Sequence, residues 1–362
     1  PARASHPGMP VGSTPGLPES IDDQFGRVRR VIFAVSDGMS MGTMTLADLY
    51  CKEVLAQDSY WPQLMRRPDV RSGLCTTHSA DSLVTDSAAA STAWSSGQKT
   101  YNTSIGYSMD REAMTPILQR VNGAGYRTGL VTTAKVTDAT PAGFIANVPD
   151  RTMEQEIAKQ ILDRAPNVVL GGGARYFGDD ARSGYAGRYI TNPRAIGDGR
   201  QSRSLVGIFS NDHIPYTLDR DDDDADLLGM TREAIEQLDY LQGGFMLQVE
   251  AARVDHAAHN NDAISMILEQ IEFDRTLRYL ANYASDRDDT LLLITTDHGN
   301  GNPGLNVYTD SARRGLLSLA NAKRSFDWIF NELRERDPQL LNLGIQREVI
   351  QFATGVPLKN SD

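Results

Sequence analysis

The chain has 362 residues, with 47 Asp and Glu against 36 Lys and Arg and a net charge of -11. That length allows one large α/β domain or two modest ones. The acidic balance argues against nucleic acid as a general partner and means that any anionic ligand needs local cations. No apolar run approaches the roughly 18 residues of a helical membrane span.

Residues 1–27 read as a flexible N-terminal lead, rich in Pro, Gly and Ser over 1–20. A start at Pro1 resembles a processed end and sets the expectation of a periplasmic or extracellular location. The two cysteines, Cys51 and Cys75, leave both a disulfide and a reduced pair open.

Val28 to Val35 predicts a strand that ends in Ser36-Asp37-Gly38. Asp37 then emerges at a strand's carboxyl end, the edge where open α/β sheets keep their ligands, although Asp-Gly is also ordinary turn chemistry. A helix over 43–57 and a second strand over 70–77 follow. Next, Asp86 is placed as an N-cap, Ser87 at the first helical position and Gly97 as the helix stop. The small residues Ser87 to Thr92 let this helix pack close to a sheet. The Ser87 hydroxyl sits at a helix N-terminus, which favours an anion, or it serves as a plain cap.

Further on, the chain predicts a helix over 115–122, a strand over 126–133 and a helix opened by Thr137-Asp138-Ala139-Thr140-Pro141. Asp138 and Thr140 offer a carboxylate and a hydroxyl to a hard cation such as magnesium, or they cap the helix. Arg151, at the far end of that helix, suits two phosphate oxygens or a surface ion pair. A helix over 153–164 and a short strand over 167–170 precede Gly171-Gly172-Gly173, which lacks the spacing of a dinucleotide-binding loop. Residues 175–224 read as a loop-rich insertion on the sheet's rim without assigned chemistry, and the charge run 219–226 as a solvated loop.

Phe245 to Glu250 predicts a strand ending on a carboxylate. Asp255 and His259, four apart, share a helix face and can grip one zinc, while His256 points elsewhere, either supporting the ligands from behind or facing substrate. That helix continues through Ile264, Ile267, Leu268, Ile271 and Leu277 at burial spacing. Thr290 to Thr296 reads as a buried strand that ends in Asp297-His298, two more zinc-type ligands. Helices near 325–336 and 347–352 close the chain.

The blocks V-S-D-G-M (35–39), V-T-D-S-A-A-A-S-T-A-W (84–94), T-D-A-T-P-A (137–142), V-E-A-A-R-V-D-H-A-A-H (249–259) and T-T-D-H (295–298) resemble the metal and nucleophile motifs of the alkaline phosphatase family, in its order. The resemblance implies an α/β fold in which a large mixed, mostly parallel β-sheet is sandwiched between helical layers, as a single catalytic domain over 28–362. It implies Ser87 as the nucleophile, with a zinc on Asp37, Asp297 and His298 that activates it. A second zinc is implied on Asp255 and His259, and a magnesium on Asp138, Thr140 and Glu250 with Asp37 bridging. Arg151 is implied as the phosphate clamp, and His256 as touching phosphate through water. Serine is a poor nucleophile near neutral pH, and no histidine in the sequence is placed as an obvious base for Ser87, so a zinc fits that need.

The family completes the Asp255 and His259 zinc with a later histidine, and none follows His298. The expectation is therefore a chain that lacks the family's C-terminal segment. The expected reaction is hydrolysis of small phosphate monoesters through a phosphoserine, with a homodimer left open. Phosphodiester hydrolysis, phosphate transfer, and phosphate or metal binding without turnover are the competing readings; the magnesium triad favours monoesters.

Overall fold

The structure, a computed structural model, describes residues 28–197, 202–305, 308–335 and 343–355. The expected lead over 1–27 lies outside them. Seven strands form one sheet: β1 (Arg30–Ser36), β2 (Arg127–Lys135), β3 (Val168–Gly172), β4 (Arg188–Ile190), β5 (Leu205–Ile208), β6 (Phe245–Ala251) and β7 (Thr290–Thr295). Their order is β4-β5-β3-β2-β6-β1-β7, and every pairing is parallel. The mostly parallel sheet expected from the resemblance is thus parallel throughout among the described residues.

Side chains alternate along a strand, so every strand but β7 feeds two cores. Ile32 and Ala34 of β1, Val131 of β2, and Leu247 and Val249 of β6 join Ile267, Ile271 and Leu277 from the Ala263–Ser285 helix on one face. Leu130, Val169 and Met246 join Phe144, Ile157 and Ile161 on the other. Phe33, also on that second face, packs tilted against Trp94 at 5.2 Å and Phe144 at 5.3 Å. Each such aromatic pair adds about 0.5–1.5 kcal/mol beyond its buried area. These contacts tie the helices that carry Ser87 and Asp138 to β1.

Several local expectations change. Residues 70–77 are extended coil, mostly exposed, because no strand among the described residues takes their backbone groups. The 175–224 segment is more than a loop: β4 and β5 extend the sheet from it, and β5 is fully buried. Within the charge run the Arg220 side chain is largely buried and pairs with Glu269 and Glu272, while Asp221, Asp222, Asp223 and Asp226 are exposed, so the run is solvated but anchored near its start. The 253–277 helix divides into Arg253–His259 and Ala263–Ser285. Asn261 breaks it with φ +54°. Cys51 is buried and Cys75 exposed, and both are free. Finally, β7 is not a buried strand. Among the described residues it pairs only with β1, and it leaves Leu293 40% exposed at the sheet's edge.

Candidate active site at the carboxyl ends of the strands

Register decides which acids meet. Val35 of β1 stands beside Glu250 of β6 and Thr295 of β7, and Glu250 also stands beside Thr132 of β2. Asp37 and Asp297 each follow two residues beyond the paired positions, so three carboxylates converge at one edge. Gly38 makes the turn after Asp37 with φ +63°, and a Cβ there would lie 2.2 Å from Asp255 Oδ1. Only glycine lets the Asp255 carboxylate approach the backbone so closely. The Gly38 N–H in turn donates to Asp297 Oδ1 at 3.0 Å.

The Ser87–Ser96 helix begins as its sequence dictates. Asp86 is the N-cap and accepts from the Ala89 N–H at 2.9 Å, while Gly97 closes the helix at φ +79°. Its small residues crowd against the Ala139–Ile145 helix rather than the sheet. Ser91 Oγ donates to the Ala139 carbonyl at 3.0 Å, and a Cβ on Gly143 would lie 2.1 Å from that Oγ. This places Ser87 Oγ 3.3 Å from His298 Nε2. The same nitrogen lies 3.3 Å from Asp297 Oδ2 and 3.8 Å from Asp37 Oδ1. The histidine beside Ser87 is thus one of the three residues that the resemblance places on a zinc next to it, and it shares one nitrogen with both carboxylates.

Asp37 Oδ1 and Asp297 Oδ2 are buried without a hydrogen-bond partner. Burial, then the charges of Asp297, Asp255 and Glu250, push the Asp37 carboxyl well above the usual range. Burial likewise raises Glu250 to about 8. Thr140 Oγ1 donates to Asp37 Oδ2 at 3.2 Å, and Thr132 donates to Glu250 at 2.5 Å. Asp255 Oδ2 lies 3.4 Å from His259 Nε2, and Asp255 Oδ1 accepts from Asn300 Nδ2 at 2.9 Å.

Arg151 lies beyond the Ala139–Ile145 helix, in a turn whose Arg151 N–H donates to the Thr103 carbonyl at 2.7 Å. Its fork reaches Asp86 Oδ2 at 3.3 Å and Asp138 Oδ1 at 3.0 Å. Burial opposes ionisation of Asp138, but Arg151, His256, His213 and Lys135 hold its carboxyl below the usual range. Burial, reinforced by the Arg253 charge, brings His256 down to about 4.

Among the described residues, two groups of three acid and histidine donors draw together: Asp37, Asp297 and His298, and Asp138, His213 and His256. The first group contains only residues expected from the sequence. The second brings in His213, which the sequence reading missed. Its signal was present, since Asp212-His213 follows β5 as Asp297-His298 follows β7, but the surrounding Gly, Arg and Asp hid the strand. Asp255 and His259 meet each other and belong to neither group.

The family model described as "Alkaline phosphatase" matches residues 28–325. This chain belongs to the alkaline phosphatase family. It is similar to the repressible alkaline phosphatase of Saccharomyces cerevisiae, 32% identical over 323 residues, a match covering 75% of this chain and 55% of that protein. The chain therefore spans little more than half the length of that relative. Among solved structures it resembles the Thermus thermophilus alkaline phosphatase, with TM-score 0.87 and 32% identity, covering 98% of this chain and 77% of that one. It also resembles a mutant of the TAB5 alkaline phosphatase described with Mg bound in its M3 site, with TM-score 0.65 and 27% identity, covering 76% and 79%.

Proposed function

We propose that this chain hydrolyses phosphate monoesters to an alcohol and inorganic phosphate, with Ser87 as the nucleophile. One observation carries the reading: the Ser87 hydroxyl faces His298 Nε2 at 3.3 Å, beside two buried carboxylate oxygens that no hydrogen bond satisfies. Like charges buried unpaired are costly, and two carboxylates with an imidazole form a zinc-type donor set.

Asp37, Asp297 and His298 would hold one zinc, and Asp255 and His259 a second. Asp138, Thr140 and Glu250 would hold a magnesium, with Asp37 bridging. The magnesium described in the TAB5 relative supports a hard cation in this family. When bound, such cations lower the pKa of a hydroxyl or water and neutralise charge on a leaving oxygen.

The chain's own residues do the positioning. The N-terminus of the Ser87–Ser96 helix presents Oγ at the positive end of its dipole, where phosphoryl oxygens are favoured. Arg151, fixed by Asp86 and Asp138, offers a planar fork to the phosphoryl oxygens. Attack by Ser87 Oγ expels the alcohol and leaves the phosphoryl group on serine, and water then releases it as inorganic phosphate.

The test is p-nitrophenyl phosphate hydrolysis by the purified chain, stripped of metal and then resupplied with zinc and magnesium. Turnover that returns only with metal supports the reading. Phosphate binding without turnover in the metal-loaded chain would replace it with a binding protein, and turnover of diesters alone with a phosphodiesterase.

A further inference from the structure

The Asp138, His213 and His256 group has the look of a cation site, with Asp138 Oδ2 4.0 Å from His213 Nδ1 and 3.9 Å from His256 Nε2. Its hydrogen bonds say otherwise. A neutral imidazole has one lone pair and one N–H, and a guanidinium or a backbone amide can only donate. Arg253 Nη1 lies 3.1 Å from His256 Nδ1, so that nitrogen is the acceptor and the proton sits on Nε2. The Lys135 N–H donates to His213 Nδ1 at 3.3 Å, which occupies that lone pair as well. Neither imidazole has a free lone pair to turn toward Asp138, and a metal would need both.

The Arg253 side chain is itself held in place. It is buried, its Nη2 donates to Asp327 Oδ2 at 2.8 Å, and its guanidinium lies 3.6 Å from the centre of the Tyr216 ring. The His256 ring is further confined by His213, with ring centroids 4.3 Å apart. The result is a chain of fixed contacts, Asp327 to Arg253 to His256, that ends in an N–H aimed at the Asp138 side of the site. The 3.9 Å from that nitrogen to Asp138 Oδ2 is too long for a direct hydrogen bond and leaves space for one bridging oxygen.

We propose that Arg253 is a positioning residue that fixes the tautomer of His256 in its Nε2–H form, so that the phosphate contact through water which the resemblance implies for His256 is made by a fixed donor and the ring is no metal ligand. The phosphate part rests on the phosphatase reading. The tautomer part does not, and it can fail or succeed separately.

The experiment compares the unaltered full chain with Arg253→Met and Arg253→Lys. Nitrogen-15 NMR of histidine-labelled protein reads the His256 tautomer, and competition by inorganic phosphate reads the donor's effect. The expected result is an Nε2–H signature in the unaltered chain, a mixed tautomer in Arg253→Met, and restoration in Arg253→Lys, because lysine also only donates. Phosphate affinity should fall by roughly 3- to 10-fold in Arg253→Met, less than the loss of a whole charge-assisted bond, and recover in Arg253→Lys. Bound zinc per chain should stay the same in all three. An Nδ1–H signature in the unaltered chain overturns the proposal, and that measurement needs no variant to fold. So does an Arg253→Met chain with unchanged tautomer and phosphate affinity. A chain that shows the expected tautomers but hydrolyses no ester would refute the phosphatase reading alone.

Discussion

The Nε2 atom of His298 lies 3.3 Å from the Ser87 hydroxyl, and this one nitrogen also faces Asp297 and Asp37. In a serine–histidine–acid triad the acid takes the opposite ring nitrogen, so that the imidazole relays between the two. Here hydroxyl, carboxylates and imidazole converge on one point, the arrangement of ligands around a cation. His298→Ala should therefore lose zinc and turnover together. Ser87→Ala should lose turnover by at least about 10³-fold while keeping its metal content and its affinity for phosphate. Metal analysis beside phosphate-release kinetics separates the two, and a Ser87→Ala chain with normal turnover would remove Ser87 from the chemistry.

The buried acids make a prediction about pH. Burial raises Glu250 from 4.5 to about 8, and Asp37 is raised as well. In the metal-free folded chain these groups keep protons that the unfolded chain has released. Below about 6.5 the lowered His256 opposes this, because it gains a proton on unfolding, so stability of the metal-free protein should fall as pH rises from about 6.5 to about 8. Calorimetric Tm values at the two ends of that window check the sign. Zinc and magnesium should reverse the trend, because the carboxylates must ionise to bind them, with release of protons into the buffer.

Gly38→Ala tests the close approach of Asp255. The new methyl would meet Asp255 Oδ1 at 2.2 Å from a backbone already at φ +63°. A cost of about 1–3 kcal/mol in unfolding free energy is expected, along with weaker zinc binding at Asp255 and His259. Denaturant unfolding and zinc content measure the two effects, and an unchanged midpoint would mean that the turn simply shifts.

Arg151 contributes geometry as well as charge. Its two arms already rest on Asp86 and Asp138, so a phosphate would meet a guanidinium fixed in orientation. Arg151→Ala should weaken inhibition by inorganic phosphate by about 10- to 100-fold, as expected for a charge-assisted pair. Arg151→Lys should recover only part of it, because an ammonium cannot span both acids and the ligand.

Much of this site was legible because its acids follow apolar strands and register does the rest. Asp37 after β1 and Asp297 after β7 needed no tertiary knowledge beyond the rule that parallel sheets gather ligands at their carboxyl edge. Ser87 was legible through its cap and the Ala-rich turn. What failed was whatever depended on partners. Residues 70–77 carry strand-forming residues but have no neighbouring strand among the described residues, and β propensity without pairing does not hold a strand. His213 sits in a polar segment whose short buried strand, Leu205–Ile208, gives only four residues of pattern. The Arg253 contact to His256 joins neighbours on one short helix, but its meaning comes from Asp327, 74 residues away.

The edge strand β7 has a consequence for how the protein behaves in a tube. Its outer backbone groups find no strand among the described residues, and its Thr-Leu-Leu-Leu-Ile-Thr sequence offers a sticky, half-open rim. Such a rim is a template on which another copy can lay its own strand. The net charge of -11 keeps copies apart at long range, while β7 welcomes them once they touch. Salt shortens the reach of that repulsion to about 8 Å near physiological strength and leaves the rim untouched, so a concentrated stock should clear in dilute buffer and cloud in brine.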